Sequence, residues 1–292
     1  MKKENTAKLL MAAAMFIFGT IAPFVRNISV SSGELALYRA VLASLLVGGF
    51  LLVTKQQLQL ASIKKELLLL LLSGAAMGIN WILLFEAYKY TTVSVATLSY
   101  YFAPVIVMAV CPIIFKEKLS AKQIFCFVMA TAGLVLITGT AGGGNSDLIG
   151  ITFGLGAAVF YATVMLLNKF IKGVTGIHRT FIQFIAAIIV LLPYVALSGG
   201  FTLGELSLTG WGALLIVGLI HTGITYCMYF SALKELPGQK VAILSYIDPL
   251  VAVLVSLLLN ETMTVPQIIG GVLILGFTLL SELPIGNKNK EK

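Results

Sequence analysis

Long apolar runs recur along the whole chain and are separated by short polar connections. A bilayer core about 30 Å thick needs about 20 apolar residues per helix. The runs do not alternate between polar and apolar positions, as the strands of a membrane barrel would. The pattern therefore predicts ten membrane-spanning helices, at residues 7–25, 34–54, 67–88, 93–115, 121–140, 148–170, 178–197, 209–232, 239–259 and 265–283.

The composition supports lipid as the solvent for most of the chain. Of 292 residues, 59% are hydrophobic and 11% are charged, and the mean hydropathy is +1.00. Soluble domains are about 45–50% apolar and about 25% charged. A water-soluble core could not absorb this sequence, so we predict an all-α integral membrane protein.

The net charge of +8 is explained by membrane topology. With the N-terminus inside, every Lys and Arg except Arg26, Arg39 and Lys89 falls on the cytoplasmic side. Such a bias follows from the positive-inside rule and requires no nucleic-acid partner. We therefore expect a multi-pass protein of the cell membrane with both termini in the cytoplasm.

The three cysteines, Cys111, Cys126 and Cys227, all fall inside predicted spans. Their number and spacing favour neither a disulfide framework nor a metal site. We interpret them as small apolar residues and expect no metal and no cofactor.

The chain repeats one phrase. VATLSY at 95–100 returns as VAILSY at 241–246, and each copy soon reaches a proline, Pro104 or Pro249. Only the second copy carries an acid between the motif and the proline, which is Asp248.

The duplication extends over both halves and places Glu117 opposite Glu261. It predicts a first five-helix repeat at 1–140, an extracytoplasmic Gly-rich linker at 141–147 and a second five-helix repeat at 148–292. Because five is odd, the second repeat must enter the membrane from the opposite side. Inverted repeats of this kind are typical of secondary transporters, whose sites lie near the midplane between the halves.

Two segments carry a family resemblance. The KEKLS sequence that closes span 4 and the IDPLVAVLVSLLLNETMTVPQIIGGVLILG sequence of the second half resemble the EamA-like branch of the drug/metabolite transporter superfamily. The resemblance covers nearly the whole chain. It implies transport, usually export, through a central cavity lined by both halves, with amino acids, other metabolites or drugs as substrates.

Asp248 is the most central acid, about halfway along span 9. A charge near the bilayer centre costs about 3 kcal/mol and needs a partner or a purpose. Ser245 shares its helical face, whereas Tyr246 points to nearly the opposite side of a straight helix, unless a bend at Pro249 reorients the two residues. We therefore expect Asp248, rather than Tyr246, to line the cavity, either as a proton-coupling carboxylate or as the counter-charge of an amine. A helix-packing aspartate is the alternative.

His221 lies midway along span 8, at a depth similar to that of Asp248, and Thr225 shares its face. A histidine beside an aspartate could relay protons. An interhelical hydrogen bond is an equal alternative. Both His221 and Thr225 are candidate cavity residues.

The other cavity candidates belong to the first half. Trp81 lies on the aromatic face of span 3, and Thr97 and Tyr101 share a face of span 4. Asn80 could bind polar groups of a substrate or lock helices together. Aromatic faces also arise from ordinary packing, so both interpretations stay open for them.

Arg39 and Glu86 both lie in the outer third of their spans. We predict that they form a structural or gating ion pair. Lys89, one turn after Glu86, is the rival partner.

These features favour a secondary transporter, an exporter of a small metabolite such as an amino acid, with possible coupling to protons. A carrier of amines, quaternary ammonium compounds or drug-like cations is the alternative within the class. An intramembrane enzyme is the alternative from another class, but it would need a catalytic set of residues, and the best that the spans offer is a lone His–Asp pair, His221 and Asp248. A small-molecule substrate and the lipid bilayer are the expected partners, and the chain suits a monomer or a homodimer.

Overall fold

The computed structural model describes residues 2–56, 60–116, 119–139, 145–174, 176–233, 235–236, 241 and 244–283. Regular structure within these ranges is helical throughout. The first half contains α1 (Lys2–Gly19), α2 (Ile21–Arg26), α3 (Ser32–Val53), α4 (Leu60–Tyr90), α5 (Val93–Tyr100), α6 (Ala103–Phe115) and α7 (Ala121–Gly139). The second half contains α8 (Asn145–Phe170), α9 (Gly176–Ser198), a short 3₁₀ turn (Leu203–Glu205), α10 (Leu208–Leu215), a π-helical segment (Ile216–Ile224), α11 (Thr225–Leu233), α12 (Ile247–Leu258) and α13 (Val265–Glu282).

The helices confirm the prediction of a multi-pass, all-α membrane protein with about ten spans. In the described ranges, 7 helical segments are long and apolar enough to cross a membrane. They are Lys3–Arg26, Ser32–Val53, Ala61–Tyr90, Val93–Phe115, Asp147–Phe170, Gly176–Ser198 and Leu208–Leu233. Shorter apolar helices at Ala121–Ile137, Ile247–Leu258 and Val265–Ser281 correspond to the predicted spans 5, 9 and 10.

The repeated phrase produces the same backbone break in both halves. Span 4 is interrupted between α5 and α6, where Phe102 has φ −73° and ψ −10°. Span 9 has its break at Tyr246, which has φ −72° and ψ −9° and precedes α12. Pro104 and Pro249 each fall in the first turn of the helix that follows, where the missing N–H costs no hydrogen bond.

The packing of the helices is also duplicated. In the first half α4 packs on α8 and α9, and in the second half α11 packs on α1 while the π-helical segment packs on α3. Likewise α5 packs on α8, as α12 packs on α1. Three further pairs, α3 with α9, α5 with α12 and α7 with α13, join equivalent spans of the two halves. If each span is replaced by its equivalent in the other half, the same set of helix contacts results, as expected for a duplicated unit.

Glycines allow two of these helix contacts to be very close. A Cβ atom at Gly19 of α1 would lie 2.5 Å from the Asp248 carbonyl oxygen of α12. At Gly74 of α4 it would lie 2.4 Å from the Ala186 Cβ of α9. Small residues are the usual way for membrane helices to approach this closely.

Span 8 contains an unusual stretch of π-helix. The Thr222 hydroxyl donates to the Val217 carbonyl at 2.8 Å, and the Thr225 hydroxyl donates to the Ile220 carbonyl at 2.7 Å, each five residues back. Segments of π-helix are rare and are frequent at functional sites. This one supports the side chains that face span 2.

The predicted linker is shorter than expected on its C-terminal side. Helix α8 begins at Asn145, inside the predicted linker at 141–147, because the Asn-Ser-Asp sequence suits a helix start. Residues 141–144 of that linker, and Glu117, lie outside the described residues.

Candidate functional site

A cavity of about 460 Å³ lies between the two halves. Its walls come from seven of the ten spans, which are spans 1, 3, 4, 6, 7, 8 and 9. It is the kind of concave, mostly apolar site with a few polar groups that binds small molecules.

Asp248 lies in the cavity wall and is held by a residue of the other half. The Tyr101 hydroxyl donates to the Asp248 Oδ2 at 2.5 Å. Both side chains follow from the duplicated breaks, since Tyr101 caps the end of α5 and Asp248 lies in the first turn of α12. The two copies of the repeated phrase therefore meet, and only one of them brings a carboxylate.

Tyr246 lines the cavity together with Asp248, so the expectation that only one of them could do so is wrong. That expectation assumed a straight helix. Tyr246 lies in the turn before α12, and the break removes the opposition between residues two positions apart.

Aromatic side chains form much of the cavity wall near Asp248. Tyr100 stacks on Tyr161 with ring centroids 5.1 Å apart, and it meets Tyr101 edge-on at 5.7 Å. The other aromatic lining residues are Phe18, Trp81, Tyr226, Tyr229, Phe230 and Tyr246. Tyrosine and tryptophan faces of this kind attract cations.

The remainder of the cavity wall carries polar groups that the sequence analysis did not assign to it. Arg179, Thr180 and Gln183 of α9 and Asn168 of α8 line this part. The Gln183 Nε2 donates to the Asn168 Oδ1 at 2.8 Å and to the Ser73 Oγ at 2.5 Å. Arg179 was counted with the cytoplasmic positive charges, and no local pattern distinguished it from them.

Five of the predicted site residues line the cavity and three do not. The five are Asp248, Ser245, Tyr101, Trp81 and Asn80. Asn80 also donates from its Nδ2 to the Ala157 carbonyl at 2.6 Å, so it joins spans 3 and 6. Thr97, His221 and Thr225 lie in the protein interior, outside the described cavity lining.

His221 contacts α1 and α2 and is no neighbour of Asp248 in the hydrogen-bond network of the described residues. Its Nε2 lies 3.1 Å from the Thr20 hydroxyl, its Nδ1 lies 3.3 Å from the Ile216 carbonyl, and its ring packs 5.0 Å from that of Phe24. The π-helical segment changes the face that His221 presents, which a regular helix had predicted to be the cavity side.

Thr97 and Thr225 are displaced from the cavity for local reasons. Helix α5 ends at Tyr100, so Thr97 and Tyr101 do not share one continuous helical face. The Thr225 hydroxyl bonds to the backbone of its own span at the end of the π-helical segment.

The predicted ion pair between Arg39 and Glu86 is not formed. The Lys89 Nζ donates to the Glu86 Oε1 at 3.0 Å, one turn away on the same helix. Arg39 is buried, and its Nε donates to the Thr222 hydroxyl at 2.6 Å. Its guanidinium lies 4.5 Å from the centroid of the Trp81 ring. The aromatic ring and the hydroxyl replace the carboxylate, because Glu86 has a nearer cation.

The opposite end of the molecule from Arg179 is closed by a network that joins the halves. Arg26 at the end of α2 forms an ion pair with Glu261 after α12, and its Nη2 donates to the Thr91 carbonyl at 3.0 Å. The second oxygen of Glu261 accepts from the Val93 backbone N–H at 2.9 Å. Thr91 in turn donates to the Asp147 carboxylate at 2.8 Å.

Duplicated helical halves around a central cavity are typical of multi-pass membrane transporters. The model of the EamA-like transporter family matches residues 5–139 and again 148–282. The chain therefore belongs to the EamA-like transporter family, a transporter family rather than an enzyme family.

Relatives with similar sequences are also transporters by name. The chain is 31% identical over 255 residues to the uncharacterized transporter YxxF of Bacillus subtilis, covering 86% of this chain and 81% of that protein. It is 30% identical over 207 residues to an uncharacterized transporter of Clostridium kluyveri, covering 68% and 67% of the two chains. These relatives agree on the class of protein and name no substrate.

A solved crystal structure shares the fold. It aligns with a TM-score of 0.61 at 15% identity, over 95% of this chain and 97% of the other. At this identity the likeness shows the fold alone.

Proposed function

We propose that the protein is a secondary active transporter of the cell membrane that exports a small amine-bearing metabolite, such as an amino acid. In this proposal the two halves are inverted repeats, both termini are cytoplasmic, and the central cavity is exposed to each side in turn. The observation that carries the proposal is a carboxylate, Asp248, in a cavity lined by both halves and held by Tyr101 of the other half.

Asp248 suits an ammonium group for two reasons. A carboxylate at membrane depth needs a positive partner, and the described residues give Asp248 a tyrosine hydroxyl but no ion pair. The aromatic rings of Tyr100 and Tyr161 close to this site would add cation–π attraction for the same group. An ammonium ion would therefore be favoured at this end of the cavity.

The same carboxylate would also serve proton coupling. A single acidic group that binds either a proton or the substrate ammonium makes the two compete. Entry of protons from outside would then release the amine there. This mechanism needs Asp248 alone and does not involve His221, which packs against Thr20 and Phe24.

The shape of this conformation is consistent with the first step of export. The cavity extends from Asp248 towards Arg179 and Asn168, at the end predicted to be cytoplasmic. The other end is closed by Arg26 and Glu261. An intracellular substrate would enter in this conformation.

The decisive experiment is transport by purified protein in liposomes. We expect uptake or counterflow of labelled amino acids and amines to fall at least about tenfold in Asp248→Asn, since a charge-assisted contact is worth about 1.5–3 kcal/mol. Glu205→Gln, which neutralises an exposed acid outside the cavity, is the matched control. Equal rates in the wild type and Asp248→Asn would refute the role of Asp248.

The second candidate function is export of lipophilic or quaternary cations. The aromatic cavity wall favours it, since such cations bind aromatic faces without donating hydrogen bonds. Transport of tetramethylammonium and of larger aromatic cations, with no transport of amino acids, would select this function.

A further inference from the structure

We infer that Arg179 and Asn168 form a second, anion-binding subsite in the cavity, so that the transported molecule is an extended zwitterion with a carboxylate far from its ammonium group. The inference rests on the proposed function, in which Asp248 binds the ammonium. It names a substrate class, such as an ω-amino carboxylate or a short peptide.

The first support is the state of the Arg179 guanidinium in the cavity wall. Its Nη1 donates to the Asn168 carbonyl at 3.3 Å, whereas its Nε is buried and has no hydrogen-bond partner among the described residues. The buried Nε is out of reach of a ligand, so the Nη groups are the donors that Arg179 can offer in the cavity wall. The forked arrangement of these donors matches a carboxylate.

The nearby acid that could have neutralised Arg179 is engaged elsewhere. Glu66 accepts three backbone N–H groups, from Lys172 at 2.8 Å, Gly173 at 2.9 Å and Val174 at 3.1 Å. No ion pair between Glu66 and Arg179 is found in the described parts of the chain. Glu66 attracts Arg179 only at a distance, so the guanidinium in the cavity wall has no directly bonded carboxylate among the described residues.

The side-chain amide of Asn168 is oriented to donate to the same ligand carboxylate as Arg179. Its Oδ1 accepts from Gln183, which is only 3% exposed and is also bonded to Ser73. Since the oxygen is occupied, the Nδ2 of the same amide is the group presented to the cavity as a donor. A carboxylate between Asn168 and Arg179 would thus meet donors from both α8 and α9.

The two charged ends of the cavity are separated along α8. Tyr161 stacks on Tyr100, beside the Tyr101 that holds Asp248. Asn168 follows Tyr161 by seven positions on the same helix, which corresponds to about 10 Å at 1.5 Å per residue. An α-amino acid carries both charges on one carbon and reaches only one end. A zwitterion with a chain between its charges reaches both.

The structural alternative is that Arg179 only anchors the cytoplasmic end of span 7, as positive residues commonly do. Lys172 offers the matched control, because it is an exposed cation at the same end and outside the described cavity lining. An anchoring role predicts similar consequences for both residues. A subsite predicts a change in ligand preference for Arg179 alone.

The test compares three ligands of equal chain length, ε-aminocaproate, hexylamine and hexanoate, for binding to the purified full-length protein. We expect the wild type to bind ε-aminocaproate at least about tenfold more tightly than hexylamine, as one charge-assisted pair allows. Arg179→Gln should remove this preference by weakening ε-aminocaproate binding, while hexylamine binding, which loses only a repulsive charge, should not weaken. Lys172→Gln should keep it.

Asn168→Asp supplies a second variant with nearly the same shape. Its added carboxylate should repel the carboxylate of ε-aminocaproate and strengthen binding of hexylamine. Retention of the wild-type preference in Arg179→Gln or in Asn168→Asp would overturn the inference.

The outcome is separable from failure of the proposed function. If neither amine depends on Asp248, the proposed function fails. If both depend on Asp248 but show no dependence on Arg179, only the second subsite fails.

Discussion

The Arg26 guanidinium and the Glu261 carboxylate form an ion pair between the two halves of the chain. Arg26 also donates to the Tyr88 and Thr91 carbonyls, and Glu261 accepts from the Val93 N–H. One pair therefore fastens the ends of spans 1, 3 and 9 to the start of span 4. It lies at the end of the molecule away from the polar part of the cavity.

Breaking this pair should open the closed end. In a variant lacking Cys111, Cys126 and Cys227, a cysteine placed at Ser245 in the cavity would report access. We expect Glu261→Gln to increase its labelling by a membrane-impermeant thiol reagent from the extracytoplasmic side about threefold or more, since a charge-assisted contact of about 1.5–3 kcal/mol is lost.

The Glu86–Lys89 pair is the control for this experiment. It joins two residues of the same helix, so Glu86→Gln should leave labelling unchanged. Unchanged labelling in Glu261→Gln as well would show that the Arg26–Glu261 pair does not hold this end closed.

Gly19 should tolerate no larger side chain. In Gly19→Ala the added Cβ would lie 2.5 Å from the Asp248 carbonyl oxygen and 2.7 Å from the Val251 Cβ. We expect a loss of about 1–3 kcal/mol in the free energy of unfolding, as for overpacked sites. The measurement is thermal unfolding in detergent.

Gly49→Ala provides the comparison. A Cβ atom at Gly49 would meet no atom within 4 Å, and alanine is favoured over glycine inside a helix by about 1 kcal/mol. The Gly49 variant should therefore be as stable as the wild type or more so. Similar losses at both positions would mean that the close contact at Gly19 is not the cause.

The contacts of Arg39 predict which substitutions have non-additive effects with an Arg39 substitution on the free energy of unfolding. A double-mutant cycle with Arg39→Leu and Thr222→Val should give a coupling of about 1 kcal/mol, because the two side chains share a hydrogen bond. A cycle with Arg39→Leu and Glu86→Gln should be additive within about 0.5 kcal/mol. The free energy of unfolding is the quantity to measure, and the reverse order of couplings would restore the ion pair.

Tyr101→Phe should weaken amine binding less than Asp248→Asn does. The variant keeps the ring but loses the hydroxyl that donates to the Asp248 Oδ2. A hydrogen bond worth about 0.5–1.5 kcal/mol corresponds to about two- to tenfold in the dissociation constant. Tyr194→Phe, on the exposed surface of α9, should bind amines as the wild type does. A loss as large as that of Asp248→Asn would make Tyr101 a direct ligand.

The positions of the spans could be predicted from the sequence because the length of each apolar run must match the thickness of the bilayer. The helices found at Val93–Phe115 and Gly176–Ser198 illustrate the agreement with the predicted 93–115 and 178–197. The repeated phrase was also visible in the sequence, whereas the breaks that follow it at Phe102 and Tyr246 were not predicted from it. These signals depend only on the local sequence and not on how the helices pack against one another.

The composition of the cavity was predictable only in part, because helix rotation is set by tertiary contacts. Asp248 and Trp81 lie in the cavity wall that depth and face suggested for them, but His221 does not, since a π-helical turn alters the face of span 8. Arg179 was missed because the positive-inside rule already accounted for its charge. Its place in the chain is that of an ordinary cytoplasmic charge, and only the packing of α9 against α3 and α4 places it in the cavity wall.

The π-helical segment at Ile216–Ile224 has a consequence for changes of chain length. Successive residues of an α-helix are rotated by about 100° because a turn holds 3.6 residues. Deleting one residue from this segment would let span 8 close into a continuous α-helix, with its backbone bonds intact. The larger rotation per residue of the α-helix would offset most of the rotation lost with the deleted residue, so Tyr226, Tyr229 and Phe230 would stay close to the cavity wall. The change would be confined to the segment that carries His221 and Thr222, and alignments of this span should therefore be allowed a one-residue gap here.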